Sequence, residues 1–133
     1  MSSQPQPFSG DWITPEHPEY AKSIARWASN TECRAKAVAF VKDAADVASV
    51  LKYAQDNGFP IAIRGGGHSA SGASSCEDGV VIDLSRYLSG CTIDPEKKLA
   101  YAGGGALWQA VDEAAIEHGL ATVAGTVNHV CVN

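Results

Sequence analysis

The chain has 133 residues, is 45% hydrophobic and 19% charged, and carries a formal net charge of −5 with no basic cluster. That length suits one ordinary globular domain, and the charge argues against nucleic-acid binding through phosphate neutralisation. No apolar run approaches the ~20 residues that span a bilayer, and Met1 to Gly10 lacks the basic start and apolar stretch of a secretory signal, so no membrane association and a cytoplasmic setting are expected.

In chain order, Ser2 to Gly10 is polar and proline-containing and reads as a flexible leader. Tyr20, Ile24 and Trp27 recur at i, i+4 and i+7, which predicts a helix over Pro15 to Ser29 ended by Asn30 and Thr31. Ala37 to Val41 is a continuous apolar run and predicts a buried strand. Asp43 is a good N-cap with Asp46 in the first turn, and Val47, Val50, Leu51 and Ala54 follow at helical spacing until Asn57-Gly58. Phe59 to Arg64 predicts the next strand. Strand, helix and strand in that order form a βαβ unit with parallel strands.

Gly65 to Gly79 is a loop of small residues. Fifteen residues without structure of their own inside a compact domain point to function or disorder. Val80 to Leu84 predicts a strand, and Cys91 to Ile93 and Leu99 to Ala102 flank a polar turn over 94–98 as a hairpin. After Gly103-Gly104-Gly105, a helix is predicted with Leu107, Ala110, Val111, Ala114 and Ala115 inward and Gly119 as its stop. Ala121-Thr122-Val123 reads as a last short strand. The fold class expected is α+β, a small mixed sheet flanked by helices, with residues 1–36 as leader and helix and 37–133 as the main unit.

The most informative stretch is Ile61-Ala62-Ile63-Arg64-Gly65-Gly66-Gly67-His68-Ser69. Three glycines let the backbone bend tightly and bring its N–H groups against a ligand. Inward-turned N–H groups make a nest for phosphate or pyrophosphate, Arg64 adds a positive charge, and His68 adds a nucleophile and base near neutral pH. Gly103 to Gly105 does not complete G-x-G-x-x-G, because Trp108 stands in the last position, and no Gly-Lys-Ser/Thr follows for a P-loop.

Other chemistry-bearing residues read as structural. Asp83, Ser85 and Arg86 end a strand, where the aspartate can bond loop N–H groups. His17 and His118 read as surface residues, and Trp12, Trp27 and Trp108 as packing. Cys33, Cys76, Cys91 and Cys131 are widely separated and show no C-x-x-C spacing, so a zinc site is poorly supported. The spacing of His68, His129 and Cys131 does not support a metal site either. Four reduced thiols are the expectation, with disulfides the alternative if a targeting segment is missing from this chain.

Four motifs taken together resemble a known family: the helix Asp43 to Gly58, the loop Arg64 to Ser69, the strand and turn Gly79 to Arg86, and Gly103 to Gly125. In this order and spacing they are similar to the N-terminal part of the PCMH-type FAD-binding domain of FAD-linked oxidases. That is the vanillyl-alcohol oxidase fold, in its berberine-bridge-enzyme-like and 6-hydroxynicotine-oxidase-like branch. The resemblance covers about three quarters of the chain, Ala37 to Asn133.

The resemblance implies FAD as cofactor. Its pyrophosphate would be wrapped by Arg64, Gly65, Gly66, Gly67 and Ser69, and His68 would bond covalently to the flavin 8α-methyl carbon. Gly103 to Gly105, Gly104 at its centre, would form a backbone wall near the FAD. The loop of Gly125, Thr126, His129 and Val130 would lie along the flavin. A second, cysteinyl link known in some members would fall at Val127, which forms no thioether, so one covalent link is implied. Cys131 and Asn133 stand where the family has glycine.

The implied activity is hydride transfer from a small-molecule substrate C–H bond to flavin N5, with oxygen or another acceptor downstream. The family's substrate domain and catalytic base fall outside these residues, so no catalytic residue is assigned and a truncated product is expected. The alternative is a non-catalytic flavin-binding or interaction fragment. A cut domain also exposes sheet edge and apolar surface, which favours self-association.

Overall fold

The computed structural model describes residues 4–132, so the expectation at Asn133 lies outside the described residues. A four-stranded sheet runs in the order β1-β2-β4-β3, from β1 (Asp11–Ile13), β2 (Ala37–Phe40), β3 (Ile61–Arg64) and β4 (Val80–Asp83). β1 pairs antiparallel with β2, whereas β2 and β3 both pair parallel with β4. A separate antiparallel hairpin joins β5 (Cys91–Asp94) to β6 (Leu99–Ala102). Among the described residues, three α-helices complete the fold: α1 (Tyr20–Ile24), α2 (Ala44–Asn57) and α3 (Trp108–Ile116). It is the expected α+β fold with a mixed sheet.

The central strands β2 and β4 are buried on both faces, which is why they read as unbroken apolar runs rather than alternating ones. Val38, Phe40, Ala62 and Val81 face one side with Ile13 and Tyr20; Ala39, Val80 and Ile82 face the other, against Val50 and Ala54 of α2. α2 forms where the sequence predicts it. The Asp43 side chain accepts from the Asp46 N–H at 2.9 Å, and Gly58 ends the helix in the left-handed region at φ 65°. The βαβ prediction holds in direction but not in adjacency, because β4 inserts between β2 and β3.

Three expectations are corrected. First, Ser9 and its neighbours are not a loose leader. The Ser9 N–H and hydroxyl both donate to the Asp46 carboxylate, and Phe8 packs edge-on against Trp12. Burial works to raise the Asp46 pKa, but these bonds and the Lys42 N–H outweigh it and hold the carboxyl below its ordinary value. Asp11–Ile13 then adds a strand that local sequence does not announce.

Second, the helix predicted over Pro15 to Ser29 shrinks to Tyr20–Ile24. Arg26 turns back, and its Nη1 donates to the Ser23, Ile24 and Ala25 carbonyls at 3.2, 3.0 and 2.9 Å. A side chain that takes up the last carbonyls stops a helix. Third, Ala121 to Val123 forms no strand, and Val123 is fully exposed. With no pairing partner at that position, a β-branched run alone does not make a strand.

Candidate functional site

The register of β3 on β4 sets the site. Arg64 and Asp83 are Cα partners at the C-terminal ends of these strands, so their side chains emerge together. Arg64 Nη1 meets Asp83 Oδ2 at 2.8 Å, and Asp83 is completely buried. The other carboxylate oxygen accepts from the Ser85 N–H at 2.8 Å and the Ser85 hydroxyl at 2.6 Å. The strand-end aspartate therefore bonds the following loop, as expected. The charge of Arg64 is not free, because it is already paired with Asp83.

A second guanidinium, which sequence reading placed in a helix, stands close to Arg64. Arg26 is only 8% exposed. Its Nε and Nη2 donate to the Ser74 carbonyl at 3.2 and 2.6 Å, tying the α1 segment to the long loop. Burial, and after it the neighbouring Arg64, push its pKa down, yet a guanidinium stays charged in proteins. Both arginines press on Gly67: a Cβ there would come within 2.9 Å of Arg64 Nε and 3.4 Å of Arg26 Cδ. Gly67 also sits at φ +71°, a conformation that side chains rarely adopt. Two guanidiniums thus lie close together, with the Asp83 carboxylate on Arg64 and the Glu32 carboxylate accepting from the Arg26 backbone N–H at 3.4 Å. Arg64 Nε is buried without a hydrogen-bond partner.

In front of this group lies a cavity of about 430 Å³. It is lined by Arg64, Gly65 and Gly66, by Ser85, Ser89 and Gly105, and by Leu107 just before α3 and Gln109, Ala110 and Glu113 on it. Gln109 Nε2 donates to Glu113 Oε1 at 2.7 Å. Of the predicted glycine wall, Gly105 borders the cavity and Gly104 does not; a Cβ on Gly104 would press on Leu84 Cδ1 at 2.9 Å. Gly105 is also required by packing, since a Cβ there would overlap the Leu84 carbonyl. The hydroxyl of Ser69, which the resemblance places on a phosphate, lies 3.0 Å from that of Ser71. Ser85 and Ser89 are the hydroxyls beside the glycine loop, and their i, i+4 spacing behind β4 was the signal for them.

The terminal loop folds back over α3. Leu107 offers no side-chain cap, and the helix start is closed by backbone: the Trp108 N–H donates to the Val130 carbonyl at 3.0 Å and the Gln109 N–H to the Asn128 carbonyl at 2.7 Å. These first N–H groups of α3 are therefore already used. Cys131 pairs with Leu107 as an isolated bridge and packs against Gly66, where an added Cβ would meet its nitrogen at 3.3 Å. Gly125 lies against the Trp108 indole. Gly125 and Thr126 are exposed on this loop and do not border the cavity.

His68 does not border the cavity either. It is half-buried, with the Trp27 indole stacked on it at 5.6 Å and 27° and the His129 ring 4.9 Å away at 52°. The structure thus unites two predicted site residues, His68 and His129, and adds Trp27. The indole read as packing is 67% exposed.

Comparison with known proteins follows the same line. The family described as FAD binding domain matches residues 35–132. The FAD-linked oxidoreductase YgaK of Bacillus subtilis strain 168 is 33% identical over 92% of this chain and 27% of its own length. The (R)-6-hydroxynicotine oxidase of Paenarthrobacter nicotinovorans is 33% identical over 94% of this chain and 28% of its own length. Among solved structures, 6-hydroxy-D-nicotine oxidase from Arthrobacter nicotinovorans superposes with a TM-score of 0.93 at 30% identity, over 99% of this chain and 29% of that one. The chain therefore spans under a third of the length of these relatives.

Proposed function

The chain belongs to the FAD-binding domain family of FAD-linked oxidoreductases, and from that premise we propose that it holds FAD by the diphosphate in the cavity between the Arg64–Gly66 wall and α3. The observation that carries this reading is Arg64, which borders the cavity beside the Gly65 and Gly66 backbone and has a buried, unpartnered Nε. An anion suits a guanidinium set beside glycine main chain. The residues fit the phosphate part of FAD. Ser85, Ser89 and the Gln109–Glu113 pair offer hydroxyl and carboxylate contacts to uncharged hydroxyls further along the cavity, because a carboxylate repels phosphate.

Bound FAD supplies the two-electron acceptor for a substrate C–H bond. Within this chain, Arg64 and Arg26 hold the glycine loop, Gly65 and Gly66 allow close approach, and His68 supplies an imidazole for a single covalent anchor. The reading makes residues 37–133 the cofactor-binding unit of an oxidase acting on a small molecule. A cytoplasmic setting accords with the free thiols of Cys33, Cys76 and Cys91. No helix among the described residues is long and apolar enough to cross a membrane.

The test is a titration of the chain with FAD, followed through flavin fluorescence. Saturable binding is expected, and Gly66→Val, whose side chain would press on Cys131 and on Leu107 of the cavity lining, should weaken it by about tenfold, or ~1.4 kcal/mol. No binding to the wild type at submillimolar FAD sinks the proposal.

The open edge of β3 carries the proposed self-association. β3 is the last strand of its sheet, and Ile63 is 60% exposed on it. Exposed apolar edges pair with other chains. The wild type should sediment faster with rising concentration, and Ile63→Lys should remain monomeric across the same range. A monomeric wild type at 100 micromolar (on the order of concentrations where weak contacts form) overturns this point.

A further inference from the structure

We infer that Trp27 is a positioning residue for His68, holding the imidazole in the orientation from which it bonds the flavin; this rests on the covalent anchor proposed above. A tryptophan that is two-thirds exposed gains little from burial, so core packing does not account for its position. Three contacts do. Arg26, one residue before it, is locked by hydrogen bonds to four backbone carbonyls, those of Ser23, Ile24, Ala25 and Ser74. The Trp27 N–H donates to the Gly67 carbonyl at 3.3 Å, one residue before His68. The indole then lies nearly parallel on the imidazole, at 27°.

The chain of constraints runs from a buried guanidinium to a backbone bond to a ring stack. Each step removes a degree of freedom from His68, which sits in a glycine-rich loop that is otherwise free to turn. His129 approaches the same ring from the terminal loop at 4.9 Å, so the imidazole is held from two separate elements.

Attachment forms one bond between a ring nitrogen and the 8α-methyl carbon. One methyl C–H and the imidazole N–H break, and their two hydrogens leave the cofactor two-electron reduced. Molecular oxygen then takes both, giving hydrogen peroxide. The rate of such a step depends on holding nucleophile and carbon in a near-attack geometry, and a misplacement of about 1 Å costs on the order of a hundredfold.

The experiment compares wild type, Trp27→Ala, Trp27→Phe and His68→Ala with FAD in air. Covalent flavin is read by in-gel fluorescence after denaturation. Carbethoxylation of His68 is read by mass spectrometry without FAD, and indole emission is recorded in parallel. Trp27→Ala should attach flavin about ten- to a hundredfold more slowly, with His68 carbethoxylated faster and the urea midpoint lowered no further than in His68→Ala, which loses the same stack. Trp27→Phe, which keeps a stacking ring, should recover most of the rate. His68→Ala should shift the indole emission. Attachment in Trp27→Ala at the wild-type rate, or unchanged carbethoxylation at His68, overturns the inference alone. Absence of covalent flavin from the wild type overturns the anchor itself and with it the purpose assigned to Trp27.

Discussion

His68→Ala, incubated with FAD and then denatured, is expected to release all of its flavin, while the wild type keeps the yellow colour on the polypeptide. His68 is the only imidazole within the glycine loop. At Val127, where a second attachment would fall, the side chain has no nucleophilic atom. The substitution should cost stability only about 0.5–1.5 kcal/mol, the range for an aromatic pair, because His68 is half-exposed and its main loss is the Trp27 stack. Cofactor loss and unfolding are therefore separable by circular dichroism on the same sample. One other outcome is informative. Cys131 packs on Gly66, and a thiol is a competent nucleophile. Flavin retained by His68→Ala and lost in His68→Ala with Cys131→Ser would move the anchor to Cys131 and overturn the assignment to His68.

Asp83→Ala should destabilise the fold by about 3–5 kcal/mol, the range for removing one partner of a buried ion pair. Asp83 is fully buried and accepts from Arg64, the Ser85 N–H and the Ser85 hydroxyl. Without it, the Arg64 guanidinium loses its carboxylate partner while Arg26 stays close enough to repel it, and the Ser85 N–H loses its acceptor. Domains of this size hold on the order of 5–15 kcal/mol in total, so the loss is a large fraction. Urea unfolding measures it. Asp83→Asn keeps the shape and an acceptor but not the charge, and should fall between wild type and alanine. A midpoint for Asp83→Ala within about 0.5 kcal/mol of wild type, the scatter of an ordinary surface substitution, would show that Arg64 and Arg26 do not depend on it.

Elements whose signal is local were legible. The Asp43 cap, the period of Val47, Val50 and Ala54, and the Gly58 stop lie within 16 residues of one another and give α2 as observed. The hairpin of β5 and β6 follows from its turn, and the glycine loop is recognisable by composition alone. Elements made by a distant partner were not. Asp11–Ile13 becomes a strand because β2 offers it hydrogen bonds, with Ile13 opposite Val38. Trp27 fits a helical repeat with Tyr20 and Ile24, but Arg26 ends the helix by taking its carbonyls, and the indole leaves for His68.

What the sequence determined by itself is the set of local structures and the chemistry carried on them: a capped helix, apolar strands, and an arginine, three glycines and a histidine in one loop. Those follow from backbone sterics and from side-chain periods of 2 and 3.6 residues, which act over a few positions. Only the tertiary structure decided which charges meet. β4 slid between β2 and β3, so Arg64 came to face Asp83, 19 positions away. The chain folded back so that Arg26 reached the Ser74 carbonyl, 48 positions away. A charge leaves water only where a partner awaits it, and that partner is chosen by strand order, which no local pattern encodes.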